Sequence, residues 1–167
     1  MNRERVFIGL GSNVGNRLAH LRKAVEALNR LPGIRVVGKS PVYETAPVGP
    51  RQRDFLNAVA ELRSDLAPGV LLASLKGIEK KMGRRVRRRW GPREIDLDLL
   101  HFGHRRCRTA AFALPHPRWG ERRFVLAPLA ALAPRWKDPK TGQTAAALNR
   151  KLTDPGQRIR LYKPSFL

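Results

Sequence analysis

Residues 34–62 read IRVVGKSPVYETAPVGPRQRDFLNAVAEL. Two strand-like runs stand out, Ile34 to Tyr43 and Phe55 to Leu62, both rich in branched and aromatic residues. Pro41 cannot donate to a sheet ladder, so it predicts an edge or a bend within the first run. Between the runs, Thr45 to Arg53 carries Pro47, Gly49 and Pro50 and reads as an ordered loop. Two strands joined this way, without an intervening helix, predict antiparallel pairing and an α+β fold.

The flanking sequence agrees. Val6 to Leu10 reads as a buried strand closed by the turn signals Gly11-Ser12-Asn13 and Gly15-Asn16. From Arg17 the apolar period becomes helical, with Leu18, Leu21, Val25 and Leu28 on one face until Pro32-Gly33 ends it. Pro68 suits a first helical turn, and Val70, Leu71, Leu75, Ile78 and Met82 continue that helix to Gly83. Gly77 in its interior costs about 1 kcal/mol relative to alanine and reads as a tolerated residue. Ile95 to Leu99 alternates as a half-buried strand, and short helices are expected at Leu126 to Leu132 and Thr144 to Leu152. No repeat or linker divides the chain, and 167 residues suit a single domain, 1–167.

Lys and Arg total 34 against 13 Asp and Glu, a formal net charge of +21. A polyanionic partner is the expected consequence. With 42% hydrophobic residues the chain has the apolar surface for a core, which excludes disorder as the meaning of the charge. No stretch approaches the ~20 apolar residues of a membrane span, and the run after Met1 is too short for a signal-peptide core. Cys107 stands alone and predicts no intramolecular disulfide. These features predict a cytoplasmic protein.

Asp96 and Asp98 are the most informative pair. On a strand, residues i and i+2 face the same way, about 6 to 7 Å apart. Ile95, Leu97 and Leu99 would then face the core while two carboxylates converge on one cation. Mg²⁺ suits such a site, since it takes one or two carboxylates and leaves its remaining positions to water and phosphate oxygens. The bland alternative is a pair of surface salt bridges. Immediately upstream, Arg84, Arg85, Arg87, Arg88, Arg89 and Arg93 surround the Trp90-Gly91-Pro92 turn. Guanidinium forks recognise phosphate, and an aromatic ring can stack on a base. The combination describes a nucleoside triphosphate site.

Other motifs carry less. Gly9, Gly11 and Gly15 miss the dinucleotide-binding spacing by one residue, and no Lys-Ser/Thr pair completes a P-loop, so a tight strand-to-helix turn is the expectation. His20, His101 and His104 show no ligand spacing beyond the loose His101-x-x-His104. His116, between Pro115 and Pro117, should have a fixed direction. No serine or cysteine comes with a base motif for nucleophilic catalysis.

Taken with Pro115-His116-Pro117-Arg118 and Gly11-Ser12-Asn13, the segment Arg89-Trp-Gly-Pro-Arg-Glu-Ile-Asp-Leu-Asp98 closely resembles the signature of the 6-hydroxymethyl-7,8-dihydropterin pyrophosphokinases of folate biosynthesis. Tyr43-Glu44-Thr45, Phe55-Leu56-Asn57-Ala58, Glu79 and Arg122-Arg123-Phe124 follow the family's order, so the resemblance covers nearly the whole chain. It implies a ferredoxin-like three-layer sandwich with a mainly antiparallel central sheet flanked by helices. It also implies Mg²⁺-dependent transfer of pyrophosphate from ATP to the pterin hydroxymethyl group, with release of AMP and with two Mg²⁺ ions on Asp96 and Asp98. Arg84 and Arg93 would bind phosphate, and Glu79, Arg89, Trp90, Leu99, His116 and Arg122 would serve the nucleotide. Thr45, Val48, Phe55, Asn57 and Phe124 would hold the pterin. Lys76, Ala46, Ala111 and Ala113 depart from residues common in that family.

A monomer acting on these two small substrates is the expectation, with nonspecific polyanion binding as a side effect of the charge. The alternative is a basic nucleic-acid-binding module on the same scaffold, for which binding would fall steeply with salt. Such a module has no use for two acids in the middle of its most cationic segment.

Overall fold

The computed structural model describes residues 3–166; residues 1, 2 and 167 of the expected domain lie outside them. Strand β1 (Glu4–Ser12) is followed by α1 (Arg17–Asn29), β2 (Ile34–Lys39), β3 (Val42–Thr45), β4 (Phe55–Ser64) and α2 (Pro68–Lys81). Then come β5 (Asp96–Phe102), a short ribbon of β6 (Cys107–Arg108) and β7 (Ala113–Leu114), and a 3₁₀ turn (Trp119–Glu121). The chain closes with α3 (Arg123–Leu132), α4 (Ala145–Lys151) and β8 (Ile159–Lys163). The main sheet runs β5-β1-β4-β3-β8 with β2 also on β4, and every pairing is antiparallel.

The bend expected at Pro41 is where the first run divides. β2 and β3 pair with successive stretches of the long β4, and Ser40 bridges the break. Its N–H donates to the Val59 carbonyl at 2.9 Å, and its hydroxyl oxygen accepts the Val59 N–H at 2.9 Å. Backbone groups that Pro41 would leave unpaired are thereby satisfied.

The period-2 pattern gives the sheet two distinct faces. Val6, Ile8, Leu10, Leu56, Leu62, Ile95, Leu97 and Leu99 pack with Leu21, Leu28, Leu71, Leu75 and Ile78, forming one core beneath α1 and α2. On the other face Phe7, Val59 and Leu100 pack with Trp119, Val125, Leu126 and Leu129 beneath α3 and α4. The result is helix, sheet, helix. Asn16 caps α1, accepting the Ala19 N–H at 3.1 Å, and Gly83, with φ +84°, follows the end of α2. A Cβ on Gly77 would meet nothing within 4 Å, consistent with tolerance at that helical position.

Two local expectations need correction, and one strand was not foreseen. β1 does not stop at Leu10 but continues to Ser12, so Gly11 is a sheet residue rather than a turn residue. α3 begins at Arg123, not Leu126, because the Arg122 carbonyl accepts both the Val125 and Leu126 N–H groups. β8 was not legible: five residues, largely exposed, give little alternation, and the strand exists because β3 offers it an edge.

His101 is buried against Trp119 and Trp136, with both ring centroids 4.4 Å away. Its Nε2 has no hydrogen-bond partner among the described residues. Burial pushes its pKa down to about 4; Asp138 opposes that shift and His116 adds to it. Above about pH 6.5 the ring is neutral whether folded or unfolded; between 6.5 and 4 only the unfolded chain takes up the proton. Stability should therefore decline as pH drops through that window, by about 1.4 kcal/mol per unit from this group. Urea midpoints of the wild type and His101→Leu between pH 6.5 and 4.5 check this. The variant should show the shallower fall, and parallel profiles would refute the assignment.

Candidate active site

The layer of α3 and α4 covers only part of its sheet face. Where it ends, two rows of residues cross β4, β1 and β5: Asn57, Gly11 and Asp96 in one, Val59, Gly9 and Asp98 in the next. The middle member of each row is glycine, so no side chain fills the space between Asn57 and Asp96. Strand spacing puts that separation at about 10 Å. This glycine gap floors a cleft of about 330 Å³.

Twelve of the fifteen expected site residues line the cleft. Thr45, Val48, Phe55, Asn57 and Phe124 gather toward one end; Arg89, Trp90, Arg93, Asp96, Asp98, His116 and Arg122 complete it. At the first end Asn57 donates from Nδ2 to Thr45 Oγ1 at 2.6 Å. Its Oδ1 lies over Gly11, where a Cβ would approach to 2.7 Å. The amide is thus held by a hydroxyl on one side and needs glycine on the other.

At the acid end, Asp96 Oδ1 pairs with Arg84 at 2.9 Å and Oδ2 with Arg93 at 2.6 Å. Asp98 has neither guanidinium, and burial followed by the charge of Asp96 pushes its carboxyl up to about 6, against Lys76, Arg122 and Arg93. Two repelling carboxylates on one strand face are the donor set a divalent cation neutralises. Among the described residues no cluster of three or more His, Cys, Asp or Glu is placed to hold a metal. Two carboxylates suit a hard cation that draws its other ligands from water and phosphate, as Mg²⁺ does.

The remaining three expected residues lie behind the cleft or in the core. Glu79 is buried on α2, where Oε1 accepts the Leu97 N–H at 2.7 Å and Oε2 binds Arg84 at 2.5 Å. It fastens α2 to the acid strand. Arg84 bridges Glu79 and Asp96, and the Leu99 side chain belongs to the core, at 5% exposure.

The six clustered arginines do not act as one group. Only Arg89 and Arg93 line the cleft; Arg87 forms a two-pronged pair with Glu94 at 2.6 and 2.8 Å, and holds that carboxyl down at about 2. Arg85 and Arg88 form no ion pair among the described residues. Two other cations come from the segment after Pro117, Arg118 and Arg122. Arg118 carried no assignment in the sequence, although it closes the Pro115-His116-Pro117-Arg118 block. Burial lowers the pKa of His116, and Arg122 adds to the effect, so the ring is neutral at pH 7.

The loops over the cleft are tied together. Asn13 donates to Gln52 Oε1 and to the Arg53 carbonyl, each at 2.9 Å, and accepts the Arg93 N–H at 2.8 Å. Gln52 in turn donates to the Trp90 carbonyl at 2.6 Å. Trp90 holds a left-handed backbone, φ 65°, which is costly for a bulky residue. Gly49 allows it: a Cβ there would come within 3.0 Å of the Trp90 Cβ. Of the departing residues, Ala46 lines the cleft, Lys76 binds Glu79 at 3.2 Å, and Ala111 and Ala113 sit on the β6–β7 ribbon away from it.

The family described as 7,8-dihydro-6-hydroxymethylpterin-pyrophosphokinase matches residues 7–134. A Synechocystis 2-amino-4-hydroxy-6-hydroxymethyldihydropteridine pyrophosphokinase is 43% identical over 84% of this chain and 72% of its own. The enzymes of that name from Methylorubrum extorquens and Bacillus subtilis are 46% and 45% identical, over 78% and 75% of this chain and 83% and 76% of theirs. Among solved structures, a Plasmodium falciparum HPPK-DHPS chain superposes with a TM-score of 0.73 at 15% identity. It shares the fold across 90% of this chain, which spans 44% of that longer one. With the family model spanning most of the sequence and the three-layer fold shared, the chain belongs to the 7,8-dihydro-6-hydroxymethylpterin-pyrophosphokinase family.

Proposed function

We propose that the protein transfers the β,γ-diphosphoryl group of ATP to the hydroxymethyl oxygen of 6-hydroxymethyl-7,8-dihydropterin, releasing AMP, as a step of tetrahydrofolate biosynthesis. The observation that carries this is the glycine gap. One cleft holds an amide–hydroxyl pair with two phenylalanines at one end and two carboxylates at the other, with nothing but backbone between them.

A flat heterocycle with donor and acceptor edges fits the first end. Asn57 offers both kinds of group, and Phe55 and Phe124 offer ring faces. Arg122 stacks on Phe124, its guanidinium carbon 5.5 Å from the ring centroid, so the side chain that shapes the pterin end also carries a cation toward the phosphates. Diphosphoryl transfer depends on in-line positioning and on neutralising charge spread over phosphate oxygens. The hydroxyl oxygen bonds to the β-phosphorus, the bond between that phosphorus and the oxygen bridging to the α-phosphate breaks, and the hydroxyl proton is lost. Arg89, Arg93, Arg118 and Arg122 supply fixed donors for the triphosphate, and neutral His116 adds a hydrogen-bonding nitrogen. Asp96 and Asp98 would hold two Mg²⁺ ions, whose contribution is to offset phosphate charge. To hold a cation Asp96 would give up its pair with Arg84 or Arg93, and Arg93, which lines the cleft, would then be free to meet a phosphate. Arg84 remains tethered by Glu79.

This reading treats residues 1–167 as one catalytic domain that acts as a monomer, supported by two cores sharing one sheet and a cleft built within one chain. A cytoplasmic location is supported by the exposed, unpaired Cys107; no helix among the described residues is long and apolar enough to cross a membrane. No feature of the cleft favours a nucleic-acid-binding module.

The direct test supplies purified protein with Mg²⁺, ATP and the hydroxymethyl dihydropterin and follows AMP. AMP formation should require the pterin, and its absence would sink the reading. Gly11→Ala separates the two ends. The new Cβ forces Asn57 away from Thr45, so KM for the pterin should rise about tenfold, the worth of one or two displaced hydrogen bonds. KM for ATP should change little. A steady-state series in each substrate checks this, and equal shifts in both constants would count against the assignment of that end.

A further inference from the structure

The cations after Pro117 reach the cleft from a segment without long secondary structure, and β5 itself shows how they are aimed. β5 pairs with β1 through Leu99 opposite Ile8 and His101 opposite Phe7, which leaves Leu100 bulged between them. The bulge has two consequences. The Leu100 carbonyl, released from the ladder, accepts the His116 N–H at 2.9 Å. The strand's side-chain alternation is reset, so His101 turns to the face that carries Asp96, Asp98 and Phe7.

There His101 and Trp136 form the walls of a notch that receives Trp119. The His101–Trp119 centroids are 4.4 Å apart with the rings at 79°, and the Trp119–Trp136 pair is 5.8 Å apart at 77°. Phe7 closes the far side, edge-on to Trp136 at 5.4 Å. Trp119 is 8% exposed, yet its chain neighbours Arg118 and Glu121 are exposed and Arg122 lines the cleft. Trp119 N–H donates to the His116 carbonyl at 3.2 Å, so the buried indole and the histidine share one turn of chain.

We propose that His101 and Trp119 are positioning residues. Edge-on packing of Trp119 in the notch, together with the bond from His116 to the bulged Leu100, sets the direction in which His116, Arg118 and Arg122 enter the cleft. His101 contributes shape rather than charge, as its unpartnered Nε2 indicates. The inference rests on the reading of the cleft as a triphosphate site, and it adds that the acid strand and the cationic segment are kept in register from outside that site.

A purely structural role would lower stability and leave the kinetic constants alone, so the test compares two lesions of the same layer. Trp119→Ala empties the notch. Leu148→Ala removes partly buried packing from α4 against the same cluster, away from the 116–122 segment. At temperatures matched to equal distance below each melting point, Trp119→Ala should lower kcat/KM for ATP about 100-fold, as misplaced binding groups do. Its Kd for a non-hydrolysable ATP analogue should rise at least several-fold, while Leu148→Ala keeps both within about threefold. Trp119→Phe, which retains an aromatic edge, should restore most of the loss, and Trp119→Leu serves if the alanine variant does not fold. Equal kinetic effects of the two lesions, or unchanged constants in both Trp119 variants, would overturn the positioning role while the triphosphate reading stands. A wild-type protein that binds no ATP analogue would overturn that reading and this inference with it.

Discussion

Asp96→Ala is expected to reduce AMP formation by about 10³-fold, or about 4 kcal/mol of transition-state stabilisation, without unfolding the protein. The carboxylate has two duties. On the proposed reading it would offer oxygens to a cation beside the phosphates, and it holds Arg84 and Arg93 at 2.9 and 2.6 Å. The second duty is partly backed up, since Arg84 keeps Glu79 and the Arg93 main chain keeps Asn13. Each pair is partly exposed, so the stability loss should be about 1 kcal/mol. Circular-dichroism melting curves together with the AMP assay separate the two effects. The Mg²⁺ concentration needed for half-maximal residual activity should also rise, which a freed arginine alone would not cause. A variant keeping a tenth of wild-type activity at unchanged Mg²⁺ demand would remove Asp96 from the metal site.

Arg93→Ala should cost about 2 to 4 kcal/mol in kcat/KM, comparable to deleting one donor from a site that stabilises developing charge. The substitution is unusually clean. Arg93 N–H donates to Asn13 Oδ1 at 2.8 Å, and the Asn13 N–H donates back to the Arg93 carbonyl at 3.0 Å. The backbone should stay in place when the side chain is removed, so the loss reports on the guanidinium. Arg93→Lys should recover part of the rate, restoring charge but not the planar fork. Steady-state kinetics in ATP decides the matter. An unchanged rate in the alanine variant would leave phosphate contact to Arg89, Arg118 and Arg122.

Much of this was legible in residue order alone. Strand periodicity puts Asp96 and Asp98 on one face whatever the rest of the chain does, because alternation is a property of the local backbone. The antiparallel sheet followed from two adjacent strand signals joined by a loop of prolines and glycine. The signature from Arg89 to Asp98 pointed to the family because ten spaced residues are specific in a way that a charge run is not.

Other features belong to the tertiary structure because they depend on what lies across a strand or behind a helix. Gly11 read as a turn in sequence; opposite Asp96, and with Gly9 opposite Asp98, it becomes part of the open floor of the cleft. Six arginines stand together in sequence, yet pairing with Glu79, Asp96 and Glu94 divides them, since a guanidinium's partner is set by non-local distance. Glu79 fastens α2 to β5, a duty that no sequence pattern announced. The net charge of +21 predicted a polyanion without saying where it binds. The bulge at Leu100, the Trp119 notch and the end of the α3–α4 layer decide which cations line the cleft, because each arises from packing between segments far apart in the chain.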